Sequence, residues 1–349
     1  MNKSSEADYA DSIYIFYGTY IGVIFILGLF QNSVTLYVFI RDKRLHKFHN
    51  YFIVALAIAD VGMCLCGHWM VVVSALYHRW VFARQGCVIY GFSTTFFGLS
   101  QISLLASIAF DRYLIIVRPH GLRFTTKTAC ILVAVCYIYG CVWAMFPAIG
   151  WSSYQLEGLL VRCAINWQSK TPFDLSFSLS VMVLGWMLPL FVIIFSYGGL
   201  FNRLRIDKRR QLLKRHRNKS KRHKNEGRMA ITVLLMIGAF FISWTPYSVA
   251  TLVAAFGPKD KVPTFLTVLP AIFAKSSIIW NPIIYVARHS LFRKSLSEHI
   301  PCLFCFGAKK SLCANRTNER HSDLTTNRRE DISGNRISMN MARVKETFV

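Results

Sequence analysis

Seven stretches of the chain are apolar and nearly free of charge: residues 15–40, 50–76, 87–117, 129–149, 174–201, 229–256 and 264–287. Each is of the order of the ~20 residues that a helix needs to cross the hydrocarbon core of a bilayer. None alternates with a two-residue period, so helices rather than barrel strands are expected, because lipid offers the backbone no other partners. The expected fold is an all-α membrane protein, a seven-transmembrane helix bundle. After it, Leu291, Phe292, Leu296 and Ile300 recur among Arg293, Lys294 and Glu298, the pattern of a short amphipathic helix on the inner leaflet. The organisation that follows is an extracellular segment over 1–14, the bundle over 15–288, the amphipathic helix over 289–300 and a polar, aperiodic tail over 301–349 that is expected to be disordered.

Composition supports this division. With 54% hydrophobic and 17% charged residues, a set of soluble domains is excluded. The net charge of +24 therefore sits between the apolar runs. Arg41, Lys43, Arg44 and Lys47 follow the first run, a dense basic stretch from Arg203 to Arg228 follows the fifth, and Arg288, Arg293 and Lys294 follow the seventh. The excess of Lys and Arg on alternate loops places those loops in the cytoplasm, the amino terminus outside and the carboxyl tail inside, in a multi-pass protein of the cell membrane. The stretch over 203–228 is in addition suited to anionic membrane lipid or an acidic partner; nucleic acid is the weaker reading, and none is expected as a partner. Cys64, Cys66, Cys130, Cys136 and Cys141 lie inside apolar runs as small hydrophobes, so the ten cysteines are not a secreted disulfide framework. Cys302 and Cys305 are candidates for palmitoylation or plain thiols, and Asn2, in Asn2-Lys3-Ser4, is an external glycosylation candidate. The first fourteen residues lack the pattern of a cleavable signal. No repeat is evident, which disfavours a transporter.

The chemistry concentrates at Lys275, near the middle of the seventh run. A lysine at that depth costs about 2.5–3.5 kcal/mol on insertion scales and calls for a reason. One reading is a structural ion pair inside the bundle. The other is covalent: a desolvated amine is a nucleophile that condenses with an aldehyde to a Schiff base.

Further motifs favour the second reading. Leu56-Ala57-Ile58-Ala59-Asp60, Asp111-Arg112-Tyr113, Trp143, Pro189, Tyr197, Trp244-Thr245-Pro246-Tyr247 and Asn281-Pro282-Ile283-Ile284-Tyr285 stand in successive runs. Lys275 precedes Asn281 by six residues, and Gly150-Trp151-Ser152-Ser153-Tyr154 with Glu157-Gly158 precedes Cys163. Over residues 15–300 the chain resembles the animal opsins, the retinal-binding branch of the rhodopsin-like G-protein-coupled receptors. His78-Arg79-Trp80-Val81-Phe82 and Ala274-Lys275-Ser276-Ser277 look most like the neuropsin and peropsin side of that family.

The resemblance implies a light-activated receptor, not an enzyme, that carries retinal, 11-cis or all-trans, as a Schiff base on Lys275. A protonated Schiff base needs a carboxylate or strong hydrogen bonding. The helix-three position at which vertebrate visual opsins carry a glutamate is Tyr90, so the counterion is expected at Glu157, with Tyr90 hydrogen-bonding. His68 is either an interior histidine or a spectral tuning residue, which leaves ultraviolet against visible absorption open. Phe240, Trp244 and Tyr247 share one face of helix six. Matching to the family adds Gly91, Thr94, Thr95, Gly98, Trp167, Met182, Trp186 and Ala271 to the retinal pocket, with the glycines making room for the polyene. It also implies a Cys87–Cys163 disulfide and a switch built from Asp60, Asp111, Arg112, Tyr113, Tyr197, Asn281, Pro282 and Tyr285. In that switch Asp111 and Glu226 clamp Arg112 in the dark.

The partners implied are a heterotrimeric G protein, of the Gi/Go class, and arrestin and a receptor kinase at the tail. Thr347-Phe348-Val349 has the form of a PDZ ligand. No metal is expected. A retinal photoisomerase of the same fold and a chemically activated receptor are the competing functions. A retinal-driven pump ranks below them, because 87–111 offers no carboxylate before Asp111 to relay protons.

Overall fold

The computed structural model describes residues 11–118, 125–213, 221–257 and 264–301, without the side chains of 207–208, 210–213, 221–226 and 264–267. The expectations that fall on Asn2, on the side chain of Glu226, on Cys302 and Cys305 and on the tail lie outside the described residues.

Seven helices long and apolar enough to cross a membrane occur among the described residues. Helix one is Asp11–Arg41, helix two Asn50–Leu76, helix three Ala83–Val117 and helix four Thr126–Ile149. Helix five runs through Pro172–Ser180, a π turn at Val181–Met187 and Leu188–Leu213. Helix six is Lys221–Phe256, and helix seven comprises Thr264–Lys275 and Ser277–Arg288. A short eighth helix, Ser290–His299, follows. The bundle is one compact unit through Phe292; a second unit begins at Arg293, and its described part is the rest of helix eight, where Lys294 and Glu298 stand one turn apart at 4.0 Å.

The helix ends obey local rules. Thr125 accepts from the Thr128 amide to start helix four, and Thr171 accepts from the Asp174 amide with Pro172 in the first turn of helix five. Helices five and six run past the apolar stretches, because hydropathy marks where lipid ends and not where a helix ends. Many outward side chains are apolar, such as Ile40 and Ile242, each 74% exposed, whereas Leu104 and Leu105 of helix three are fully buried. An apolar exterior of this kind belongs in lipid.

Two devices shape helices two and seven. The π turn Cys64–His68 interrupts helix two and ends on His68. In helix seven, Pro282 cannot donate to the Ile278 carbonyl. Asn32 of helix one supplies the missing donor, its Nδ2 lying 2.9 Å from that oxygen.

The helical expectation omits one element. Between helices four and five, β1 (Tyr154–Glu157) and β2 (Arg162–Ile165) form an antiparallel hairpin in which Tyr154 faces Ile165, Leu156 faces Cys163 and Glu157 faces Arg162. Four-residue strands carry too little alternation to announce themselves in sequence. Cys163 is bonded to Cys87 at the start of helix three, with Cα atoms 5.5 Å apart. The Tyr154 hydroxyl donates to the Ala144 carbonyl at 2.8 Å, and Arg84 donates to the Tyr154 carbonyl. The hairpin is thus tied to helices three and four.

Candidate functional site

Beneath the hairpin lies a cavity with about 1020 Å³ of empty space, its mouth included. Helices three, five, six and seven and strand β2 wall it. Thr94, Thr95, Gly98, Trp167, Met182, Trp186, Phe240, Trp244, Tyr247, Ala271, Tyr90 and Lys275 all line it. Such a mostly apolar, aromatic cleft with a few polar groups suits a small lipophilic ligand. The π turn of helix five brings Met182 and Trp186 to the same wall.

Gly91 is the exception. A Cβ at Gly91 would lie 2.3 Å from the Tyr154 ring, so this glycine admits the hairpin and not a ligand. The reason is tertiary: Gly91 and Gly98 are two turns apart on helix three, and the hairpin covers the first. At Gly98 a Cβ would lie 3.2 Å from the Trp244 indole, inside the cavity.

The aromatic wall is ordered by its polar tips. Trp244 packs against Phe240 and Tyr247, with ring centroids 5.7 and 6.2 Å away, and its Nε1 donates to Ser277 Oγ at 3.1 Å. Trp167 Nε1 donates to the Tyr247 hydroxyl at 3.2 Å, and that hydroxyl donates to Glu157 Oε2 at 3.3 Å.

Lys275 is buried. Its Nζ donates to the Tyr90 hydroxyl and stands 5.0 Å from that ring's centroid. Glu157, the expected counterion, is held elsewhere: Arg162 Nη1 lies 2.7 Å from Glu157 Oε2, and the guanidinium sits 5.8 Å from the Tyr247 ring centre. The hairpin register makes the two cross-strand partners. Burial is the largest influence on Arg162 and opposes its charge, but the Glu157 carboxylate together with Tyr17, Tyr247 and Tyr90 outweighs it and holds the guanidinium above its ordinary pKa. Arg162 stands in no motif of the sequence and emerges as part of the site only in the structure. The available signal was two opposite charges flanking the tight Gly158–Val161 turn. His68 is fully buried, with Nδ1 3.0 Å from the Met63 carbonyl oxygen in the π turn, whereas its Nε2 meets no hydrogen-bond partner among the described residues.

At the opposite end of the bundle, Arg112 pairs with Asp111, and both are buried. Tyr113 packs its ring 5.3 Å from that of Phe195. The Tyr197 hydroxyl donates to the Ala230 carbonyl at 3.0 Å, joining helices five and six, and the Tyr285 hydroxyl lies 3.4 Å from Asn50 Oδ1. Between the two ends, Asp60 accepts from Gln101 at 2.6 Å and from Asn281 at 3.3 Å. Buried Pro282 completes this stretch of helix seven.

A seven-helix bundle with an aromatic cavity around a helix-seven lysine and an Asp-Arg pair at its other end has the form of a membrane receptor. The family described as "7 transmembrane receptor (rhodopsin family)" matches residues 31–285. Melanopsin of Mus musculus is 34% identical over 304 residues, covering 85% of this chain and 58% of that protein. Melanopsin-A of Danio rerio is 32% identical over 346 residues, covering 95% and 57%. Rhodopsin of Enteroctopus dofleini is 31% identical over 303 residues, covering 84% and 67%. The chain thus spans little more than half the length of these melanopsins. The crystal structure of squid rhodopsin superposes with a TM-score of 0.79 at 30% identity, covering 87% of this chain and 90% of that one. The chain belongs to the rhodopsin family of seven-transmembrane receptors, and within it to the animal opsins. These relatives do not specifically point to the neuropsin or peropsin side of the family.

Proposed function

We propose that this chain is a light-activated G-protein-coupled receptor that holds retinal covalently on Lys275. The observation that carries the reading is a buried lysine amine at the wall of an aromatic cavity, in a chain of the opsin family. Bound there, retinal supplies a light-driven change of shape. The residues present fit it: among the described residues, Lys275 supplies the one amine on a wall that is otherwise aromatic, aliphatic and hydroxyl-lined, with the guanidinium of Arg162 at its rim.

The chain's own parts do the rest. Tyr90 orients the amine from helix three. Trp244, over Gly98 and tethered to Ser277, is the ring through which a change in cavity shape reaches helices three and seven. The Asn281, Asp60 and Gln101 bonds link helix seven to helices two and three on the way to Arg112. Release of the Tyr197 bond to Ala230 frees helix six from helix five. The groove so opened takes a helix of a heterotrimeric G protein, of the Gi/Go class. The hairpin end faces outside the cell and the Arg112 end the cytoplasm, following the basic loops. Glu226 as a clamp on Arg112, palmitoylation of Cys302 and Cys305, and arrestin, receptor kinase and PDZ contacts at the tail complete the proposal.

The test is to add 11-cis or all-trans retinal to the purified protein, reduce with borohydride and map the adduct, then measure nucleotide exchange on Gi/Go in light and dark. A retinyl group on the Lys275 peptide, absent in Lys275→Ala, and light-dependent exchange are expected. An unmodified Lys275 peptide rejects the attachment, and adduct formation without exchange on any G protein rejects the signalling.

A further inference from the structure

Among the described residues, the cavity wall presents two cationic side chains, Arg162 and Lys275, and no carboxylate. The nearby acid, Glu157, lines the smaller adjoining cavity and is joined to Arg162 at 2.7 Å. Both partners are withdrawn from water, with side-chain exposures of 6% for Arg162 and 13% for Glu157. At such burial, solvent and salt screen the pair weakly, so it persists. The other titratable groups facing these charges are Tyr17 on helix one, His68 on helix two, Tyr90 on helix three and Tyr247 on helix six. None of them is a negative charge near neutral pH.

One carboxylate cancels one buried cation. With Glu157 committed to Arg162, a second positive charge on the nitrogen of Lys275 would leave the dry site with a net charge of about one unit, which burial disfavours strongly. We propose that Arg162 sequesters the charge of Glu157, so that the retinal linkage on Lys275 stays unprotonated and the dark pigment absorbs in the near ultraviolet. This rests on the reading of Lys275 as the point of retinal attachment. The proton that the linkage would otherwise carry remains in solvent, and Tyr90 is left as donor to the neutral nitrogen. Arg162 is on this account a positioning residue, acting on the ligand through Glu157.

The experiment compares wild type, Arg162→Gln, Glu157→Gln and the double variant as retinal-loaded proteins near neutral pH, reading absorption and, after borohydride, the adduct on Lys275. Expected are a near-ultraviolet band in wild type, the same band in Glu157→Gln, a band moved into the visible in Arg162→Gln, and its return to the ultraviolet in the double variant. Thermal unfolding of the four ligand-free proteins gives an independent readout: the two single losses are expected to be non-additive, since either variant already breaks the pair. A wild-type visible band at neutral pH, including one that appears only with chloride present, overturns the proposal. So does an Arg162→Gln visible band that survives in the double variant, or additive unfolding losses. Should Arg162→Gln not fold, the wild-type band and the indifference of that band to Glu157→Gln decide the matter. Absence of any adduct on Lys275 rejects the attachment itself, whereas an adduct with the wrong spectrum rejects only the role of Arg162.

Discussion

Lys275 on helix seven donates its hydrogen bond to the hydroxyl of Tyr90 on helix three, two side chains 185 positions apart. The bond ties the amine to one wall of the cavity before any ligand arrives. Tyr90→Phe keeps the ring and removes the acceptor, leaving a buried donor unpaired at a cost of about 1–3 kcal/mol. A lower melting temperature of the ligand-free protein is the expected outcome, with retinal still attached at Lys275 by mass spectrometry. An unchanged melting temperature would show that the hydroxyl contributes nothing to holding the amine.

Gly91 lies directly beneath the Tyr154 ring, where a Cβ would stand 2.3 Å from it. Gly91→Ala therefore lifts the hairpin or strains helix three, an overpacking that costs about 1–3 kcal/mol. Accelerated proteolysis within 154–165 and a lowered melting point are expected, with the Cys87–Cys163 bond retained on non-reducing analysis. A variant as stable as wild type would mean that Tyr154 has room to move.

Lys170 reaches from the segment after β2 to the end of helix six, where its Nζ donates to the carbonyls of Ala254, Ala255 and Gly257 at 2.8, 2.6 and 3.0 Å. A cation there satisfies terminal carbonyls and complements the helix dipole. Lys170→Met is expected to cost about 1–2 kcal/mol and to increase amide exchange over 253–257. Lys170→Arg is expected to recover most of the loss.

His49, just before helix two, has its pKa lowered to about 3 by burial first, then by the positive charge of Arg112, Lys47 and His289. The unfolded chain binds this proton near the ordinary value of 6.5, the folded chain only near 3. Neutral His49 therefore contributes stability that is complete above about pH 6.5 and drains away as pH falls towards 3. Melting curves from neutral to mildly acidic pH are expected to show a steeper loss for wild type than for His49→Gln. Parallel slopes would contradict the burial of a neutral ring.

The membrane helices were legible from hydropathy because each apolar run must find lipid or protein by itself, whatever its neighbours do. Lys275 was legible for the same reason in reverse: a charge inside such a run stands out against its own segment. Helical spacing put Phe240, Trp244 and Tyr247 on one face of helix six and the resemblance supplied Trp186 of helix five; all four line the cavity. Gly91 and Arg162 were not legible in this way. Gly91 sits on the same helix as Gly98, and only the course of the hairpin decides that one meets Tyr154 and the other Trp244.

What the amino-acid sequence determined by itself is thus the set of spans, the depth of the Lys275 amine within its run and the polarity of the loops, all properties of a segment and its solvent. Tertiary structure alone decided which carboxylate faces which cation. Charge interactions depend on distances in space, which the register of the hairpin and the packing of helix three against helix seven set and the hydropathy of a single segment does not. Glu157 therefore meets Arg162, its partner across the hairpin, while Lys275 meets Tyr90.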